Sequence, residues 1–270
     1  MEQFVDQFDL NADDIGGVLN EAASYLRIRG DYLLAEEMHL RALALARKSG
    51  QKGRIATSLN NLAFIYNDVG EPERALPLFQ EALQLQEEEL GESDPGLWLA
   101  LHNLGRTYLN VGQLDEAYKL AERALELAPK ETDEDVYFRA FVLTSLAEVL
   151  CAMGRGPEAL ISAREGLDIR LRSGNPQRIA ASYSALGQAQ STVGAIGDAI
   201  ESLRSAVELG REVYGPDHPI LRRDLKRLAE ALRQVDREVE ADEVQTQYEE
   251  LTDRLSELWP NTDRAREPSV

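Results

Sequence analysis

A small residue recurs at a fixed interval along this chain, and that recurrence limits the fold more than any other feature. Glycines stand at Gly30, Gly70, Gly112, Gly154 and Gly194, with Asp236 in the next slot, at spacings of 40, 42, 42, 40 and 42 residues. Five positions after each comes an alanine: Ala35, Ala75, Ala117, Ala159, Ala199 and Ala241. Seven positions before comes Ala23, Ala63, Gly105, Ala147, Gly187 or Ala229, and twelve after comes Ala42, Ala82, Ala124, Gly166, Ala206 and then Tyr248. Bulk fills the columns eight before (Ala22, Leu62, Leu104, Leu146, Leu186, Leu228) and four before (Leu26, Tyr66, Tyr108, Leu150, Gln190, Leu232). Two antiparallel helices approach closely only where small side chains face each other, so the small columns mark crossing points and the large ones fill the flanks. The glycine ends the first helix of each pair, where a left-handed residue is wanted at low steric cost. Inside each segment the apolar residues follow the i, i+3, i+4, i+7 rule of an amphipathic helix.

The pattern predicts an all-α chain with six helical hairpins over 12–258, in repeats near 12–50, 51–91, 92–130, 131–174, 175–215 and 216–258. The helix pairs are expected near 12–29 and 31–49, 52–69 and 71–90, 94–111 and 113–128, 132–153 and 155–173, 176–193 and 196–214, and 217–235 and 237–258. Asp94-Pro95 and Asp217-His218-Pro219 read as an N-cap followed by an early proline, and Pro72, Pro157 and Pro176 fall in first turns. Pro77 lies about two turns into its helix as drawn, so that helix starts late or bends there. The sixth unit replaces the glycine and the late alanine and crowds charge between Arg222 and Glu250, the polar outer face expected of a C-terminal cap. Residues 1–11 are expected to be an extension whose Phe4, Val5, Phe8 and Leu10 suit a short helix over the first pair, and 259–270 a disordered tail.

These columns resemble the tetratricopeptide consensus of Leu, Gly/Ala, Tyr, Gly, Ala, Phe, Ala, Pro. The third unit comes nearest, with Leu104, Gly105, Tyr108, Gly112, Ala117, Ala124 and Pro129. The family's usual period is about 34 residues. The longer period here, with the linkers Leu90-Gly91-Glu92-Ser93-Asp94-Pro95 and Tyr214-Gly215-Pro216-Asp217-His218-Pro219, is similar to the kinesin light chain type of repeat. The resemblance implies a right-handed α-solenoid whose inner wall is formed by the first helix of each pair, and a protein that binds another protein or a peptide. It is specific to the fold and not to the function.

On that wall the exposed positions are expected ten, nine, six and three residues before the turn residue. They read Asn20, Glu21, Ser24, Arg27; Asn60, Asn61, Phe64, Asn67; His102, Asn103, Arg106, Leu109; Thr144, Ser145, Glu148, Cys151; Ser184, Ala185, Gln188, Ser191; and Lys226, Arg227, Glu230, Arg233. The middle is rich in amides: Asn60, Asn61, Asn67, Asn103, Asn110 and Gln188. An amide both donates and accepts, so it pairs with the backbone of an extended peptide whatever that peptide's side chains are. Related arrays hold peptides through asparagines at such places, and by resemblance Asn61 and Asn103 match best. Pockets near Phe64, Leu99, Leu109 and Phe141, with charge at Arg106 and His102 alongside, are expected to add specificity. The competing use of such asparagines is a bond to a neighbouring helix. The carboxylate clamp of chaperone-binding arrays is incomplete, since the first unit offers Asn20 and Ser24 and the third Leu99 and Asn103. Arg222, Arg223, Lys226 and Arg227 form the densest basic cluster, either a solvated cap face or a grip for an acidic partner.

Acidic residues number 48 against 29 basic ones, a net charge of −19 that repels phosphate backbones, so nucleic acid is not an expected partner. A single cysteine, Cys151, suits a reducing compartment, and the first residues lack a secretory pattern, so a cytoplasmic protein is expected. No apolar run approaches the roughly 20 residues of a membrane helix. There is no phosphate-binding glycine loop and no His-Glu-x-x-His motif, and His39, His102 and His218 occupy unrelated slots, so no catalysis, metal or cofactor is expected. Cys151 with His102 is the one nucleophile pairing on offer, and Cys151 sits where a small hydrophobe suffices. Glu87-Glu88-Glu89 and Glu131 to Asp135 lack the spacing of a calcium loop. The expected function is an adaptor or scaffold that binds a peptide or protein segment in its groove. The alternatives are a peptide- or ligand-sensing module of a bacterial signalling or transcription-regulator system, and self-assembly into a homo-oligomer.

Overall fold

The computed structural model describes residues 12–128, 133–218 and 220–258. The expectations for 1–11, Pro129, Pro219 and 259–270 lie outside the described residues. The rest divides into two compact units, with the boundary between Gln113 and Leu114. The first contains α1 (Ala12–Ile28), α2 (Tyr32–Ser49), α3 (Lys52–Asp68), α4 (Pro72–Leu90) and, after a 3-10 turn at Pro95–Leu97, α5 (Trp98–Asn110). The second contains α6 (Leu114–Leu127), α7 (Asp133–Ala152), α8 (Gly156–Ser173), α9 (Pro176–Thr192), α10 (Ile196–Tyr214), α11 (Ile220–Arg233) and α12 (Glu238–Leu258). Every described regular element is helical, and they pack as consecutive hairpins.

Each hairpin is closed by the same turn. In all six, the N–H one residue past the turn position donates to the carbonyl five residues upstream: Asp31 to Leu26, Glu71 to Tyr66, Gln113 to Tyr108, Arg155 to Leu150, Ala195 to Gln190 and Arg237 to Leu232. This is the Schellman closure, and it needs a left-handed residue at the turn. The glycines supply it at φ 72–80°, and Asp236 takes φ 56°, the lone non-glycine with positive φ among the described residues. Substituting Asp236→Gly is therefore expected to raise the stability of the second unit by about 0.5–1 kcal/mol, read as a shift in the urea midpoint, because a side chain in that conformation is strained.

The small columns do what close packing requires. All six alanines of the column after the turn have 0% of their surface exposed. Ala23 and Ala35 meet in one cluster with Ile65 of the next hairpin, and Ala147 and Ala159 meet with Leu146, Leu150 and Leu186. The tyrosine column clips successive hairpins together. Tyr66 in α3 donates to Glu36 in α2 at 2.7 Å, and Arg74 lies 3.9 Å over its ring. Burial and the Glu36 carboxylate push the Tyr66 hydroxyl up to about 12, so it remains a donor at ordinary pH. Tyr108 in α5 accepts from Gln80 in α4 at 2.7 Å.

Two helix starts differ from expectation. Asp94 accepts from Gly96 N at 2.7 Å and so caps the 3-10 turn, while the α-helix begins at Trp98. At α11 the cap is His218, whose Nδ1 accepts from Ile220 N at 3.2 Å, instead of Asp217. Pro77 lies inside α4, which begins at Pro72, so a late start is excluded. The helix gives up the hydrogen bond that residue 77 would have made to the carbonyl of Glu73.

Candidate functional site

The first unit holds a cavity of about 990 Å3 walled by α1 and α3 and floored by Ala42 and Ala46 of α2. Four of the expected wall residues line it: Asn20, Glu21, Ser24 and Asn61. Val18, Tyr25 and Ile28 add an apolar stripe on α1, each more than half exposed. Their spacing of seven and three residues places them on one face of the helix. Thr57 and Ser58 extend the polar side along α3, and Asp14, Glu21 and Arg54 carry the charge.

A relay of hydrogen bonds fixes the floor. His39 Nδ1 lies 2.8 Å from Asn20 Oδ1, and Asn20 Nδ2 donates to Ser58 Oγ at 3.1 Å. An amide oxygen only accepts, so His39 carries its proton on Nδ1. Its Nε2 is then a bare acceptor, buried and without a partner. Burial, and after it the charge of Arg27, lower the His39 pKa from 6.5 to about 4, so the ring is neutral at physiological pH. Arg27 itself bridges α1 to α3 through Asp68 at 2.5 Å.

The four wall columns are not equally open, and this corrects the expectation that all were exposed. The positions six and three before the turn stay accessible in every unit: Phe64, Asn67, Leu109, Cys151, Gln188 and Ser191 are half-buried, and Arg106 is exposed. The positions ten and nine before are half-buried at Asn60 and Asn61 but buried at His102, Asn103, Thr144, Ser145, Ser184 and Ala185. His102 is 3% exposed and Asn103 9%, so packing takes the surface that a ligand would need. Asn110 is exposed, Leu99 is exposed, and Phe141 is half-buried. Asn67 spends its Nδ2 on Thr107 Oγ1 of α5 at 3.0 Å, which in turn donates to the Asn103 carbonyl. Asn60 Oδ1, Asn67 Oδ1 and Gln188 Oε1 are buried acceptors without partners.

The second unit carries a different wall. Ser184 Oγ on α9 donates to Asp224 Oδ1 on α11, and Arg223 Nη1 reaches back to Glu148 Oε1 on α7 at 3.0 Å. Burial pushes the Asp224 carboxyl up against the pull of Arg223. The four columns nearest the turn miss Ser58 and Asp224. Both stand twelve residues before it, in a column where Ser182 is also polar and Val18, Ala100 and Val142 are not.

Chemistry finds little support. Burial raises the Cys151 thiol, against the thiolate a nucleophile needs. Among the described residues no group of three or more His, Cys, Asp or Glu side chains is placed to hold a metal ion. No described helix is long and apolar enough to cross a membrane.

Comparison with known proteins places this geometry. The tetratricopeptide repeat family profile matches residues 54–130 and 138–212, together more than half of the chain. Among solved structures, a putative kinesin light chain from Podosopora anserina with nearly identical TPR-like repeats is similar at 21% identity and TM-score 0.60, covering 75% of this chain and 97% of that one. The apo form of RapI is similar at 17% identity and TM-score 0.71, covering 95% and 89%. The Rap conjugation gene regulator of plasmid pLS20, solved with the Phr* peptide, is similar at 15% identity and TM-score 0.71, covering 93% and 66%. At these identities the likeness is one of fold. No curated protein matches the chain in sequence.

Proposed function

Because the chain belongs to the tetratricopeptide repeat family, we propose that it is a non-enzymatic interaction module that holds an extended segment of another protein or a peptide. The observation that carries this reading is the α1–α3 cavity, open, partly apolar and edged by polar side chains. Asn61 is the principal contact, a half-buried amide in the cavity wall that pairs with a peptide backbone through both its ends. Asn60 and Asn67 stand on the same helix but outside the cavity lining, and their Oδ1 atoms are buried, so they support the wall that Asn61 presents. Val18, Tyr25 and Ile28 receive an apolar side chain of the ligand. Phe64, Arg106 and Asn110 read the neighbouring ligand residues, while Gln188 lies in the second unit and outside this site. Asn103 and His102 shape the wall from beneath.

A peptide-sensing regulatory module is the second reading. It is favoured by the pLS20 regulator, a protein of similar fold solved with a peptide bound. In the cell, a cytoplasmic setting fits both readings.

The test begins with affinity capture from the native lysate and identification of the captured chain, followed by calorimetric titration of the segment responsible. Asn61→Ala is expected to weaken that segment about fivefold, the value of roughly one net hydrogen bond, while melting and helicity stay unchanged. Equal affinity for wild type and Asn61→Ala removes the cavity from the interaction. A partner that proves to be an effector domain controlled by the peptide selects the regulatory reading over the scaffold.

A further inference from the structure

The outward edge of α1 differs from the same edge of every later hairpin. Val18 and Tyr25 stand twelve and five residues before the turn. They are 58% and 60% exposed, whereas both columns are at most 5% exposed in each of the five later units. There the preceding hairpin covers them. Ile65 packs on Ala23 and Ala35, Ser58 accepts from Asn20, and Ala231 packs on Ile200 and Leu203. No described hairpin precedes α1 and α2. The first pair therefore shows to solvent, in apolar form, the stripe on which helices stack elsewhere in the array. A terminal repeat ordinarily presents polar groups there.

The charge on this stripe is negative. Val18 and Tyr25 lie seven residues apart and share a face, and Glu21 lies between them. Glu21 is exposed, lines the cavity, and forms no ion pair among the described residues. Asp14 continues the face seven residues earlier. The nearby cations are Arg54 on α3 and Arg29, whose guanidinium is 6.0 Å from the centre of the Tyr25 ring.

Charge separates the candidate occupants. A second copy paired about a twofold axis sets Val18 of one chain against Tyr25 of the other, which brings the two Glu21 carboxylates together near the axis. The chain's own residues 1–11 carry Glu2, Asp6 and Asp9 and meet the same repulsion. We propose that the stripe docks a basic amphipathic helix of a partner protein. Two apolar side chains one heptad apart lie against Val18 and Tyr25, and a Lys or Arg between them faces Glu21. The occupant is helical because helices cover these columns in the later units, and because a helix satisfies its own backbone over a surface that offers it few hydrogen bonds. The net charge of −19 draws such a segment in. The inference rests on the α1–α3 cavity being a docking site, since Val18 and Tyr25 rim it. It adds the form and charge of the stretch along α1, beside the extended stretch at Asn61.

The full chain, labelled for nuclear magnetic resonance at valine methyls and tyrosine rings, tests this with three peptides. The first is acetyl-Lys-Ala-Leu-Ala-Ala-Ala-Lys-Ala-Ala-Leu-Ala-Ala-Ala-Lys-Ala-amide. The second has Glu in place of every Lys, and the third has proline in place of the central alanine. Saturable shifts at Val18 and Tyr25 are expected with the Lys peptide, and affinity about tenfold lower or worse with the other two. Glu21→Gln is expected to weaken the Lys peptide about fivefold and to flatten its salt dependence. Tyr25→Ser is expected to abolish saturation at Val18 while melting stays that of wild type, because the ring is exposed. Val239→Ser, at an exposed apolar position in the second unit, is expected to change nothing. Equal affinity for the Glu or the proline peptide overturns the proposal and leaves the cavity as a docking site. Full affinity in both Glu21→Gln and Tyr25→Ser overturns it, as does the absence of any shift with all three peptides. In that last case the cavity reading still stands if a captured segment depends on Asn61. Shifts at Val18 and Tyr25 that appear when the chain alone is concentrated, with a doubling of its mass, overturn the proposal in favour of a second copy.

Discussion

Gly187→Leu is expected to destabilise the second unit by about 3 kcal/mol or more, because the core opposite that position has no slack. A Cβ built on Gly187 would stand 2.6 Å from Leu203 Cγ and 3.3 Å from the Ala199 carbonyl oxygen. Leu203 is itself 0% exposed and has nowhere to turn, and the Ala199 contact is with backbone. Even alanine, which gains roughly 1 kcal/mol of helix propensity over glycine, has to displace Leu203 to fit. The matched control is Gly197→Ala on α10, where nothing lies within 4 Å of the added carbon. That substitution is expected to stabilise by about 0.5–1 kcal/mol. Urea unfolding of the two variants, followed by helical circular dichroism, decides the matter. If Gly187→Leu melts like wild type, the helices are not in the contact described. Adding Leu203→Ala to Gly187→Leu is expected to restore part of the loss, since the two substitutions share one space.

The second large effect is expected on acidification. His39 has a folded pKa of about 4, well below the 6.5 of an unconstrained histidine. The unfolded chain therefore takes up the proton first. The stability that the neutral ring contributes is whole above pH 6.5 and is lost as the pH falls through the window down to about 4. A tenfold change in proton affinity is worth about 1.4 kcal/mol, so the loss is on the order of 3 kcal/mol. His39→Asn isolates it, because the Asn amide stands where Nδ1–H stood, keeps a donor for Asn20 Oδ1, and does not titrate. The difference in unfolding free energy between wild type and His39→Asn is expected to narrow or reverse in favour of the variant between pH 6.5 and 4. Carboxylates that take up protons on acidification are common to both proteins and cancel. Parallel pH profiles would show that the ring is not buried in neutral form. The consequence reaches the cavity, since protonation keeps the Nδ1–H bond to Asn20 but adds a charge and an Nε2–H without an acceptor beneath the wall that Asn20 forms.

Of the residues that the sequence offers as ligand contacts, Asn61 alone lines the cavity, while the wall positions around it are legible by register, and the difference has a physical reason. Asn20, Glu21, Ser24 and Asn61 were placed on the wall by counting back from the turn glycine, and the cavity gathers all four. Counting back also put His102 and Asn103 in the open, where they are not. The same register is half-buried at Asn60 and Asn61 because its accessibility depends on how closely the neighbouring helices press, which a one-dimensional register does not contain. Nor does it distinguish an amide that faces a ligand from one already engaged. Asn67 reads like Asn61 in the sequence, yet its Nδ2 is taken by Thr107, forty residues further along the chain.

The sequence by itself determined the helices, their pairing and their turns. Those follow from local rules: a left-handed residue closes each turn, a small side chain admits a close neighbour, and both recur at an interval read directly from the chain. Tertiary structure alone decided which polar groups remained available. His39 joined Asn20 and Ser58 in a buried relay, Ser184 went to Asp224, and Arg223 took Glu148 as its partner. Hydrogen bonds and ion pairs are settled by distances of a few ångströms between residues that are far apart in sequence, and those distances exist only once the helices have packed.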